Sequence, residues 1–176
     1  MKIIVVLVTA FTLSGCSESY KDLEAAYGTE KASSGNLLPA KEITITSQKH
    51  RGATTYQGTV AIRASKGSID IDFGAPFTKP ISVPSSDIEG CSMTCFGMSD
   101  QRVDLLIPRT GTDLMVPNAE LLREWCWSNG KPMISSEARR AWQYSGTALP
   151  PPESYRDQLA SRDLFNRQTK LSCMGY

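Results

Sequence analysis

Residues 56–73 read YQGTVAIRASKGSIDIDF, and the period of this stretch decides the fold. Tyr56, Gly58, Val60 and Ile62 alternate with Gln57, Thr59, Ala61 and Arg63. Ser65-Lys66-Gly67 is a turn signal, after which Ile69, Ile71 and Phe73 alternate with Ser68, Asp70 and Asp72. A period of two puts successive side chains on opposite faces, so the stretch reads as half-buried strands joined by a hairpin. The same pattern extends outward in both directions. Upstream, Ile43 and Ile45 alternate with Thr44 and Thr46. Downstream come Ile81 and Val83, the run from Ile88 to Phe96, then Val103, Leu105 and Ile107, and finally Leu114 and Val116. Gly74-Ala75-Pro76, Pro84-Ser85-Ser86, Pro108 and Thr110-Gly111 punctuate these runs. Short strands spaced this closely predict an antiparallel meander.

At Pro117 the period becomes helical. Asn118 is placed to cap, Glu120 falls in the first turn, and Leu121, Leu122, Trp125 and Cys126 share a face before the Asn129-Gly130 stop. A second helix starts at Ser135 or Ser136, carries Ala138, Ala141 and Trp142, and ends at Gly146. Beyond the proline hinge of Leu149 to Pro152, Ser154 with Asp157 resembles a capping box and opens a short or kinked helix through Tyr155, Leu159, Leu164 and Phe165. Strands first and helices after is the α+β pattern. The expected architecture is an antiparallel β meander or partly open roll followed by two or three helices. It forms a single globular domain over 41–176, mainly β over 41–116 and mainly α over 117–176. From Tyr56 to Trp127, with Ile81-Ser82-Val83-Pro84-Ser85-Ser86-Asp87-Ile88 in its middle and an amphipathic helix to close, the layout resembles a pleckstrin-homology-like roll. That resemblance implies a fold only, because such rolls carry many unrelated functions.

The leader carries a second resemblance. Lys2 precedes an almost wholly apolar run from Ile3 to Leu13, closed by Leu13-Ser14-Gly15-Cys16. The run is too short for a permanent span, which needs roughly 20 apolar residues, and it fits a secretory signal ending in small residues. With the cysteine directly after them, the segment resembles a bacterial lipoprotein signal. The resemblance implies a signal peptide over 1–15, lipidation at Cys16, and the lipid bilayer as a partner through that acylated cysteine. Ser17, which is not Asp, implies by the same resemblance the outer membrane of a Gram-negative cell, facing the periplasm. Residues 16–40, small and polar around Ala32-Ser33-Ser34-Gly35-Asn36, read as lipidated cysteine and flexible tether, with a reach of about 27 Å as a coil.

Setting Cys16 aside leaves Cys91, Cys95, Cys126 and Cys173. An even number in an exported chain argues for disulfides, with three connectivities open. If residues 91–95 are a strand, Cys91 and Cys95 lie about 13 Å apart, beyond the roughly 7 Å Cα limit for a bridge. Each then reaches into the helical half, and the reading leans to Cys95–Cys126 and Cys91–Cys173. A helical or tightly turned segment would restore a 91–95 bridge. A four-thiolate zinc site lacks the paired short spacings it needs.

Charge is close to balanced, with 19 Lys+Arg against 18 Asp+Glu, and loss of Lys2 with the leader equalises them. No basic excess marks a nucleic-acid partner. His50, the single histidine, sits in Gln48-Lys49-His50-Arg51-Gly52, which reads as a solvated basic turn. There is no Gly-x-Ser-x-Gly, no Ser-x-x-Lys and no histidine pair at helical spacing. No catalytic residue, metal site or cofactor is therefore assigned. Asp70 and Asp72 share a strand face as paired carboxylates do, but their alternation with apolar residues puts them on the wet side of the sheet. Arg139-Arg140 reads as helix surface. Trp127, about 200° round the helix from Trp125, is either covered by the segment from Leu171 to Tyr176 or left as an anchor for an envelope protein or glycan. The functional expectation is a membrane-anchored envelope lipoprotein acting as a non-catalytic binding or structural module. The alternatives are an envelope enzyme using Asp70 and Asp72, or an inhibitor or immunity lipoprotein.

Overall fold

The computed structural model describes residues 17–31, 36–38, 40–58, 60–74, 78–96, 100–117 and 120–174. The leader, Cys16 and the expected capping Asn118 lie outside these residues. In chain order the elements are α1 (Glu18–Tyr27), β1 (Asn36–Leu38), β2 (Glu42–Ser47), β3 (Gly52–Gln57), β4 (Ala61–Ala64), β5 (Ser68–Asp72), β6 (Ile81–Pro84), β7 (Gly90–Phe96), β8 (Asp100–Ile107), β9 (Thr112–Pro117), α2 (Glu120–Ser128), β10 (Met133–Ile134), α3 (Ser136–Ser145), α4 (Arg156–Ala160) and α5 (Arg162–Cys173). The chain is α+β, with antiparallel-rich sheets and two disulfides.

The deciding stretch is divided between two sheets. Its alternation runs unbroken through Gly58 in sequence, but β3 ends at Gln57 and β4 begins at Ala61. Gly58 takes φ +101°, a conformation open to glycine, and its N–H donates to Lys41 O at 2.8 Å. The chain thereby leaves the six-stranded sheet (order β10-β7-β8-β9-β2-β3) for the four-stranded one (β1-β4-β5-β6). β4 and β5 form the expected hairpin, where Ser65 Oγ accepts from the N–H groups of Gly67 and Ser68. β7, β8 and β9 follow one another as a meander, and β2 pairs with β9 from Thr44↔Met115 to Ser47↔Thr112. Only β10 against β7 is parallel among these pairs. Ile43, Ile45, Ile69, Ile71, Val103 and Leu105 belong to one buried apolar core that draws on both sheets.

Residues 18–27 correct the tether reading. Ser17 caps them by accepting from Tyr20 N–H, and Tyr20, Leu23 and Tyr27, at helical spacing, are buried in the core. Tyr20 O–H donates to Lys79 O at 2.9 Å and its oxygen accepts from Lys79 N–H at 2.6 Å, while its ring meets Phe73 edge-on at 5.1 Å. A Cβ at Gly28 would stand 2.5 Å from Glu24 O, so the helix ends there on a residue without one. Three apolar side chains are too weak a local signal for a helix in isolation. They become one against a surface to which β2, β6, Tyr56 and Phe73 contribute.

The helical half follows its punctuation. Gly130, at φ +62°, ends α2, and α3 runs from the Ser135 cap, which accepts from Ala138 N–H, to a left-handed Gly146. The last helix is divided: Ser154 spends its hydroxyl on Pro151 O in a short 3-10 turn, and α5 starts afresh at a Ser161 cap. The disulfides join Cys91 to Cys126 (Cα separation 6.4 Å) and Cys95 to Cys173 (4.8 Å). Both tie the strand to the helical half as expected, but with the partners exchanged. α2 meets the Cys91 end of β7, while the last turn of α5 runs beside its middle, where Ser172 Oγ donates to Met93 O at 3.0 Å. Among the described residues no helix is long and apolar enough to cross a membrane.

Candidate functional site

On α2 the inward stripe is Leu122, Trp125 and Cys126, at the i, i+3, i+4 spacing of one helix face. Leu121, expected inside, is 54% exposed. The disulfide turns Cys126 to the core and centres the buried stripe between Leu122 and Cys126, which leaves Leu121 about 90° off it. Trp125 donates its indole N–H to Ser65 O, the carbonyl at the β4–β5 turn. Trp127 is half-buried, with its ring 5.3 Å from that of Phe165. Cover for it therefore comes from the first turn of α5, ahead of the expected segment Leu171 to Tyr176, whose last two residues lie outside the described residues. Arg123, expected outside, is only 15% exposed and binds Glu120, Glu124 and Asn166 of α5, the last at 2.6 Å. Arg162 of α5 also pairs with Glu124. The hydrogen bond from Arg123 holds the Glu120 carboxyl below its ordinary range.

Between this helix, β1 and the β4–β5 turn lies an open cleft of about 850 Å³. Leu121, Trp127 and a 61% exposed Leu37 supply apolar wall, while Lys66, Glu124 and Arg162 supply charge of both signs. The arrangement suits contact with a mixed apolar and polar surface.

A second feature lies under α3. Arg139, read as helix surface, is 8% exposed and sits over two carboxylates that are fully buried, Asp104 of β8 and Asp113 of β9. One guanidinium nitrogen, Nη1, stands 2.6 Å from Asp113 Oδ2, 3.4 Å from Asp104 Oδ1 and 3.2 Å from Gln143 Oε1. Thr94 donates its hydroxyl to Asp104 Oδ2 at 3.3 Å. Asp104 is opposite Met115, two residues from Asp113 on the neighbouring strand, so the two acids share a face. Burial pushes the Asp104 carboxyl up to about 7, and burial likewise raises Asp113, against the downward pull of Arg139. The sequence carried a sign of this. Leu105-Leu106-Ile107 is a consecutive apolar run, which marks a strand covered on both faces, and Arg139 is one turn before Trp142 and Gln143 on the same helix face. Arg140 is exposed, as expected.

The remaining candidates are scattered. Asp70 is 1% exposed, not wet: β5 is an interior strand, and Asp70 stands between Arg63 and Ser82 of its neighbours. Asp72 is half-buried and accepts from Gly74 N–H. His50 lies in a turn whose Arg51 takes φ +46°, and its Nε2 is 2.9 Å from Asp22 of α1. That contact holds the Asp22 carboxyl below its ordinary range. Tyr27 donates to Asp87 at 3.0 Å under the Arg109 guanidinium, and burial pushes its hydroxyl up to about 12. Among the described residues no group of three or more His, Cys, Asp or Glu converges as a metal site. Compared with known proteins, the chain matches no family model, no curated protein and no solved structure.

Proposed function

We propose that the protein is a lipid-anchored component of the bacterial cell envelope, acting as a non-catalytic binding module and held by an acyl group on Cys16. The observation that carries the anchor is the close of the apolar run Ile3 to Leu13 by Leu13-Ser14-Gly15-Cys16. On this reading the binding face is the cleft beside α2, and its occupant is an envelope protein presenting aliphatic side chains to Leu37, Leu121 and Trp127. The mixed charge of Lys66, Glu124 and Arg162 at its rim favours a polypeptide over an anionic or cationic polymer. Metabolic labelling with an acyl-chain analogue, comparing wild type with Cys16→Ser, tests the anchor. Equal labelling of the two sinks it. Crosslinking in intact membranes through a photoreactive residue at Leu121 tests the face: a discrete protein adduct supports it, and a glycan adduct or none overturns it.

A further inference from the structure

The cluster under α3 holds two acids and one base away from water. With both aspartates ionised it would carry a net negative charge, because the single Nη1 of Arg139 serves both carboxylates. A buried charge without full compensation costs several kcal/mol. Two carboxyls sharing such a place do not ionise together, and one keeps its proton. The hydrogen bonding agrees: Asp104 Oδ1 and Asp113 Oδ1 are buried and accept no hydrogen bond among the described residues.

We propose that Asp104 and Asp113 share one proton beneath Arg139, and that losing it as pH rises loosens α3 from the six-stranded sheet. Every neighbouring element bears on the balance. On β8 itself Arg102 favours the ionised acid, though it stands 3.7 Å from Glu42 of β2. β7 contributes the Thr94 hydroxyl, β2 the Thr46 hydroxyl, and α3 contributes Arg139, Gln143 and the distant Tyr144. These interactions lower the acids less than burial raises them. Beneath the same helix Trp142 packs with Leu106 and Ile134 in an apolar cluster separate from the main core. Loosening α3 uncovers that cluster, so pH governs the exposure of an apolar patch on the face of the sheet opposite the disulfides.

The sign follows from linkage. A carboxyl raised in the docked state favours docking fully below its ordinary value near 3.8, and that contribution is lost as pH climbs through about 7. Hydrogen exchange of the α3 amides, corrected for intrinsic rates, measures docking directly. Between about pH 5.5 and 8.5, protection of α3 should fall roughly thirtyfold while that of β8 holds. Asp104→Asn keeps the shape without the titration and should flatten the change. Equal protection of α3 at the two pH values, or the full change persisting in Asp104→Asn, overturns the proposal. Carboxyl carbon NMR of the unaltered protein decides independently of any variant. One of the two aspartates titrating above about pH 6 upholds the shared proton, and both titrating below it refute it.

Discussion

Helices cover the six-stranded sheet on both faces, and the two faces hold them by different means. On the core face α2 and α5 are bonded covalently to β7 through Cys91–Cys126 and Cys95–Cys173. On the other face α3 rests on the Arg139 contacts, on a hydrogen bond from Gln48 Nε2 to Trp142 O at 2.6 Å, and on a small apolar cluster. A covalent tie acts chiefly through the unfolded chain and is indifferent to pH. A buried charge cluster acts in the folded state and responds to every proton it binds. One sheet thus has a face whose grip is constant and a face whose grip is conditional.

The largest break in this comparison is to remove a tie from the constant face. The Cys95–Cys173 bridge closes a loop with a sequence separation of 78, and replacing both residues by Ala should cost about 4 kcal/mol in the chain-entropy treatment. Urea unfolding measures it, and the pH response of α3 should survive. Next comes Arg139→Met on the conditional face. It strands two carboxylates and should cost about 3 kcal/mol, more at pH 8 than at pH 5, because the acids recover by protonation. An equal cost at both pH values would sever the link between Arg139 and the proton.

Trp127→Ala sharpens the comparison on the core face. The ring is half-buried on Phe165, so the expected loss is about 2 kcal/mol, below the full ~3–5 for a deeply buried aromatic. No loss of melting temperature would show that α5 does not use it as cover. The smallest effect belongs to the rim of the molecule. Asp22, below its ordinary range beside His50, contributes stability that is present above pH ~4 and lost as pH falls through its lowered value. The pair is partly exposed, so Asp22→Asn should change stability at pH 7 by less than about 1 kcal/mol. Acid and alkaline limbs of the stability profile then report different parts of the chain.

Much of the fold was legible. Period-two runs located the strands, and Ser135 with Gly146 bounded α3 because caps and left-handed glycines are local chemistry. What escaped was whatever another element supplies. Tyr20, Leu23 and Tyr27 make a helix only against other elements, among them β2, β6 and the rings of Tyr56 and Phe73, and Asp104 looks like a wet strand residue until α3 covers it. Leu121 was read as core because helix phase alone does not reveal which way a disulfide turns Cys126. Of the candidate face, Trp127 was recognised, but Leu37 and the charged rim were not, since they meet it only through the turn from β4 to β5.

The pairing of β2 with β9 has a consequence in time. For a chain that emerges N-terminus first, Thr44 waits for Met115 before its second neighbour exists. Non-local pairing of this kind slows folding, because a long loop must close before the contact repays it. The pairing of β2 is therefore incomplete until residue 117 is available and the six-stranded sheet until residue 134 adds β10, by which point Cys126 is at hand for Cys91 while Cys173, the partner of Cys95, is not. Cys95 stays a free thiol until residue 173 arrives, so the two bridges have a built-in order. Chains halted between residues 130 and 170 should carry the first bridge and still have a reactive thiol at position 95.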